Sequence, residues 1–412
     1  MSEFLTLLPP PEALSLLLNH LTTKPTAEWI PTADSLGRIT AAPVYAPFPL
    51  PTFARSTVDG YAVRARDTFG ASESLPAYLT VAGEVAMGTA ATQPLTSGQC
   101  QLIHTGGMLP PGADAVVMVE HTQEARAGER EILRTVAVGE NVLQVGEDVH
   151  AGREVIPVGV RLRPAEIGGL MALGLAEVAV TRQPLIGILS SGDEVIRPGQ
   201  PLQMGQVYDV NSYTLQALVA QAGGRPHLYP LLPDEPAAFK ATAEQAWAEC
   251  DMLLFTAGSS VSARDLTAQT IAGLGAPGVL VHGVSVRPGK PTILAVCGGK
   301  PVIGLPGNPV SALIIAQILA VPVLERLLGL KQPRPHGRIT ARLATNLPSQ
   351  AGREDWVAVR LVPQADGTYT AEPIFGKSNL IFTLARADGL LCIPPSANGL
   401  PAGAEVAVEL MQ

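Results

Sequence analysis

The stretch Pro301-Val302-Ile303-Gly304-Leu305-Pro306-Gly307-Asn308-Pro309-Val310-Ser311 decides the fold. Its start is a short apolar strand. A turn rich in proline and glycine follows, and an apolar helix begins at or near Pro309. Proline suits the first helical position, where its missing N–H would be unpaired anyway. Asn308 is placed as the N-cap. Such a turn aims backbone N–H groups and the positive end of a helix at one point, which suits an oxyanion. The same residues also make a plain strand-to-helix turn, and the stretch alone does not choose between the two.

Working outward, residues 184–331 alternate strand and helix. Apolar strands are predicted at residues 185–189, 227–231, 252–256, 279–281, 292–296 and 301–304. Helices are predicted from Asn211 as a cap, from Asp234 as a cap, from about Leu266, and from Pro309. This alternation predicts a doubly wound, mostly parallel α/β domain, with ligands at the carboxyl ends of its strands. Upstream, residues 10–21 have helical apolar spacing. Residues 61–144 carry short β-type runs separated by Gly and Pro, as in a small β domain. A further helix is expected from Pro164 to near Gly174. Downstream of a Pro-Arg-Pro linker, residues 338–412 are strand-rich and predict a β-barrel or sandwich.

The chain has 412 residues, enough for three to four domains of about 100–150 residues. With 47% hydrophobic and 16% charged residues it is globular rather than disordered. Its net charge of −8 argues against a nucleic-acid partner. A local cluster of donors can still hold a small anion against that field. Cys100, Cys250, Cys297 and Cys392 are scattered, without zinc-ligand spacing, and each reads as a small buried apolar residue. The N-terminus lacks a signal-peptide pattern. The longest apolar stretch, residues 310–323, contains Gln317 and Pro322 and falls short of the ~20 residues of a membrane helix. A cytoplasmic protein without a membrane partner is the expectation.

Chemistry gathers where polar residues follow the α/β strands. Ser190, Ser191, Gly192, Asp193 and Glu194 follow one strand, and Asp234 another. Gly258, Ser259, Ser260, Ser262, Arg264 and Asp265 follow the third. Arg287 and Lys290 precede Thr292. If the strands are parallel, the loops that follow them meet on one edge. Carboxylates beside an oxyanion would repel it unless a hard cation lies between, and Mg²⁺ takes one or two carboxylates plus substrate phosphates. Asp234 also reads as an N-cap, Asp193 as an Asx-turn, and Arg264 as a surface ion-pair partner.

Together with residues 56–63, 105–119, 146–148, 376–380 and 388–390, these segments resemble the molybdopterin molybdenumtransferases. This is the MoeA type, related to the E domain of gephyrin. The match follows the same order along nearly the whole chain. The resemblance implies an elongated, four-domain homodimer. Residues 1–50 with 146–182 would form a dimerisation domain, and 51–145 an inserted β-rich domain. Residues 183–332 would form the molybdopterin-binding α/β domain, and 333–412 a C-terminal β-barrel. The implied activity is transfer of molybdenum from molybdate to adenylated molybdopterin, with release of AMP and assistance from Mg²⁺. Other cofactor-biosynthesis proteins and acceptor apoenzymes are implied as partners. Asp59, Thr105, Glu194 and Asp265 match catalytic positions, with Glu194 and Asp265 on the metal. Asp148 and Asp234 match substrate-binding positions, as do the loops of Ser191, Gly192 and Asp193, of Gly258, Ser259 and Ser260, and of Arg287 and Lys290. So does the opening turn with Gly304, Pro306, Gly307, Asn308, Pro309 and Ser311. Asp59 and Thr105 would reach the site from the partner subunit. Ser259 and Ser262 stand where glycines are common, and a serine at positive φ would be strained. The alternative is a non-catalytic molybdopterin-binding scaffold of the same fold.

Overall fold

The computed structural model describes residues 7–233, 235–256, 261–331 and 337–411, with the backbone alone for 261–265. The chain divides into two compact units. One comprises Met1–Ala42, Val158–Arg163 and Glu177–Gln412, the other Pro43–Pro157 and Pro164–Ala176.

The first unit is built on a six-stranded sheet. Its strands are β1 (Leu185–Ser190), β2 (Arg225–Leu228), β3 (Met252–Thr256), β4 (Pro277–His282), β5 (Ile293–Cys297) and β6 (Lys300–Leu305), in the spatial order β2-β1-β3-β6-β5-β4. The first four in that order are parallel. β5 runs antiparallel to both β6 and β4. Successive strand residues point to opposite faces. Ile186, Ile188, Met252, Leu254, Leu294, Val296 and Ile303 therefore build one core, and Leu253, Phe255, Ile293, Ala295 and Val302 the other. The first face is covered by α1 (Asn211–Ala222), by α4 (Pro309–Leu327) and by an N-terminal helix, Pro10–His20. The second is covered by α2 (Pro236–Glu249) and α3 (Val261–Gly273). The doubly wound expectation is met.

Three sequence expectations need correction. α3 begins at Val261, five residues before the expected start near Leu266. Ser262, Ala263 and Arg264 are adequate helix formers, so the helix takes in residues that read as loop in the sequence. Ser262 therefore takes helical backbone, free of the strain foreseen for it. Asn211 is not the side-chain cap of α1: the Asp209 carboxylate accepts the Ser212 N–H at 3.0 Å. And α4 is longer than the apolar run suggested. Its 19 residues pass through a π-helical turn, Ala316–Ala320. With a mean hydropathy of 1.8, α4 is long and apolar enough to cross a membrane by length and composition alone, but 61% of its apolar window is buried inside the protein.

The C-terminal strands β7 (Arg338–Leu343), β8 (Glu354–Pro363), β9 (Tyr369–Pro373), β10 (Gly389–Ile393) and β11 (Glu405–Leu410) pair as β8-β9-β7-β11-β10 and back to β8. This closed five-stranded barrel resolves the barrel-or-sandwich alternative. Val286 and Arg287 add a parallel two-residue strand to β8, opposite Glu354 and Asp355. The second unit carries a six-stranded sheet in the order Ala115–Met118, Gly60–Val63, Gln99–Ile103, Ala77–Val85, Glu129–Ile132, Thr122–Arg126. Its core includes Tyr61, Val63, Leu79, Cys100, Val117 and Ile132.

Candidate functional site at the carboxyl edge of the central sheet

β1, β3 and β6 end side by side: Ser190 pairs with Thr256, and Thr256 with Leu305. The loops after them start from one edge. β5 explains how Arg287–Lys290 joins them. Being reversed, it begins where β6 ends, with Ile293 opposite Gly304, so the segment before β5 lies at the carboxyl edge. Gly289 makes that approach possible. It has φ +117°, and a Cβ there would collide with the Ile315 side chain on α4. Gly304 is also tight, since its Cβ would sit 3.1 Å from that of Ile293.

Ser191 is buried, and its N–H donates to the Thr256 carbonyl at 3.0 Å. Gly192 has φ +147°, and its N–H donates to the Leu232 carbonyl at 3.3 Å. The Glu194 carboxylate folds back over Gly192, 2.9 Å from where a Cβ would stand. Asp193 and Glu194 are exposed. Beside them an open cleft of about 420 Å³ is lined by Val195, Ile196, Arg197, Gln200, Pro230 and Leu231.

The opening turn holds fewer free donors than its sequence promised. Pro309 has no N–H, the Val310 N–H donates to the Ser378 carbonyl at 3.0 Å, and the Ala312 N–H to the Asn308 carbonyl. The Asn308 side chain does not cap α4. Its Nδ2 donates to Ser378 Oγ at 2.9 Å, so the turn is tied to the barrel region. Among the described residues, the amides of Gly307, Asn308 and Ser311 are left without an acceptor. Lys290 is exposed. Arg287 lies 3.6 Å from the buried Asp355 carboxylate, which also accepts from Arg353 Nε at 2.8 Å.

Asp234, Gly258, Ser259 and Ser260 lie outside the described residues. Asp265 sits early in α3. In the second unit, the structure brings Asp59 and Thr105 together. The Thr105 N–H donates to Asp59 Oδ1 at 2.8 Å and its hydroxyl at 3.3 Å. His104 stands between Asp59 (3.6 Å) and Glu84 (3.0 Å). The Thr105 backbone N–H, assisted by the Thr105 hydroxyl and His104, holds the Asp59 carboxyl below its ordinary range. Asp148 is held by its own N–H on the Leu50 carbonyl, and no hydrogen bond joins it to Asp59 or Thr105 among the described residues. All four cysteines are reduced, and burial pushes the Cys100 and Cys392 thiols up to about 12 and Cys297 to about 11.

Sequence reasoning missed Asp209, Asn211, His104 and the Arg353–Asp355 pair as parts of these clusters. Only the run Val207-Tyr208-Asp209-Val210-Asn211, an acid two residues ahead of an apparent cap, held a usable signal.

Three family descriptions match the chain in sequence order. They are the MoeA N-terminal region (domain I and II) over residues 8–174, a probable molybdopterin binding domain over 187–326, and the MoeA C-terminal region (domain IV) over 340–411. A molybdopterin molybdenumtransferase from a Nostoc species is 35% identical over 379 residues, covering 90% of this chain and 86% of the relative. The one from Haemophilus influenzae is 31% identical, with 97% of each chain covered. A crystal structure described as a molybdopterin biosynthesis MoeA protein from Pyrococcus horikoshii is 37% identical. It superposes with a TM-score of 0.82 over 98% of this chain and 99% of that one. The order of its domains, the edge of its central sheet and these full-length likenesses agree: the chain belongs to the molybdopterin molybdenumtransferase family.

Proposed function

We propose that this protein inserts molybdenum from molybdate into adenylated molybdopterin and releases AMP, with Mg²⁺ assisting, and that it works as a homodimer. The observation that carries this reading is the shared edge of β1, β3 and β6, joined by the segment before the reversed β5. Backbone donors, small hydroxyls, carboxylates and the cations Arg287 and Lys290 meet there. The amides of Gly307, Asn308 and Ser311 offer fixed donors to an oxyanion, and fixed dipoles need no reorganisation as charge shifts in the reaction. Lys290 is a mobile point charge suited to a phosphate or molybdate oxygen.

Among the described residues no group of three His, Cys, Asp or Glu could hold a metal ion. Mg²⁺ needs no such group, since it binds through one or two carboxylates and fills its shell with substrate phosphates and water. Glu194 and Asp265 are assigned to it. When bound, it would polarise the phosphoryl oxygens of the adenylate. Asp59 and Thr105 are assigned catalytic roles. Asp59 is ionised near neutral pH as an ordinary carboxyl is, and the Thr105 N–H and hydroxyl hold it in place, so that it acts as an acceptor or base rather than an acid.

The purified protein, given adenylated molybdopterin, molybdate and Mg²⁺, is expected to release AMP, and Asp265→Ala to abolish that release while leaving the far-UV circular dichroism unchanged. Tight substrate binding by the wild type without AMP release would overturn the reading in favour of a scaffold.

A further inference from the structure

Asn211 opens α1 but does not serve as its cap. Its Nδ2 donates twice, to Thr256 Oγ1 at the end of β3 (2.7 Å) and to the Gly307 carbonyl in the turn after β6 (2.8 Å). The residue is 8% exposed, and its buried Oδ1 has no partner among the described residues. An unsatisfied buried acceptor lowers stability, and an apolar side chain would fill this place at less cost. The amide is therefore explained by what its nitrogen holds. A peptide unit is planar and trans, so its C=O and the following N–H point in opposite directions. Fixing the Gly307 carbonyl against Asn211 aims the Asn308 N–H the opposite way. That N–H is one of the three left without an acceptor among the described residues. Beyond it, the Asn308 side chain is tied to Ser378 and the Asn308 carbonyl to the Ala312 N–H. The peptide between residues 307 and 308 is held on both sides.

We propose that Asn211, with Thr256 as its anchor, is a positioning residue that latches this peptide and so presets the Asn308 N–H as an oxyanion donor. The choice of molybdate as the oxyanion rests on the proposed function; the latch itself does not. Loss of two hydrogen bonds at roughly a factor of five each predicts an increase in the molybdate KM of up to about 25-fold in Asn211→Ala, with kcat changed less. Amide hydrogen exchange at Val310 and Ala312, whose N–H groups donate to the Ser378 and Asn308 carbonyls, should quicken, while β1 and the barrel exchange as before. Thr256→Val removes one arm without emptying the Asn211 site and should give part of the same effect. Thr256→Ser restores the acceptor and should recover most of it. In the double variant the two changes should be less than additive. Wild-type exchange at Val310 and Ala312 in both single variants would overturn the latch, as would additive KM effects. If the wild type releases no AMP, the functional reading falls, and the exchange measurement still decides the latch.

Discussion

The carboxyl edge of the central sheet and the Asp59 cluster of the second unit hold polar groups in opposite ways. At the edge, position is set by the backbone: strand ends in register, Gly289 pressed against α4, and a turn tied at Gly307 and at Asn308. Around Asp59 it is set by side chains in water. Asp59 is 63% exposed, His104 42% and Glu84 57%. A backbone-built site is damaged through folding, because its donors cannot be removed singly. A side-chain-built site is damaged through titration, because the groups are individually replaceable and screened.

The largest effect that would break this contrast is expected at Gly289. Gly289→Val adds atoms where Ile315 already lies, at a φ that valine avoids, and should cost roughly 2–5 kcal/mol. Urea unfolding measures it, and a loss below ~1 kcal/mol would mean that the approach to the edge is loosely built. Asp355→Ala comes next. It strips the buried carboxylate from Arg353 and Arg287, whose side chains stay 30% and 64% exposed. That exposure lowers the expected cost to about 2 kcal/mol, below that of a fully buried pair. Equal stability of Asp355→Ala and wild type would remove this pair from the architecture of the edge.

The smallest effect sharpens the other side. The Asp59 carboxyl should titrate below its ordinary range in a carbon-13 NMR titration. Its contribution to stability is then present above the unfolded-state pKa and lost as pH falls through the lower folded value. Thr105→Ala keeps the backbone N–H, the largest cause of the shift, so the titration should move up only slightly. A return to the ordinary carboxylate range in that variant would show that the hydroxyl, not the amide, sets the charge.

Much of this was legible in the sequence, for reasons that can be named. Residues 252–256 and the helix start at Pro309 were read correctly because an apolar run and a proline at the first helical position are local signals. The closure of the barrel followed only from the family resemblance and not from the residue pattern, since β7 meets β9 and β11 through pairings between distant segments. The start of α3 was misjudged because serines in a Gly/Ser run look like loop. Asn211 was misread for a different reason. Asparagine before a helix is the ordinary sign of a cap, and the partners that redefine it lie 45 and 96 residues away. The reversal of β5 was equally hidden, although the position of Arg287 and Lys290 follows from it.

The short strand at Val286 and Arg287 pairs with the barrel strand β8, and the residues that follow it run directly into the sheet edge. The C-terminal barrel is therefore not an interchangeable module that shuffling could append or remove. A chain that exchanged it for another barrel would have to supply the same two-residue pairing or lose the placement of Arg287. Inheritance of the edge is tied to inheritance of the barrel, and the two are expected to travel as one block.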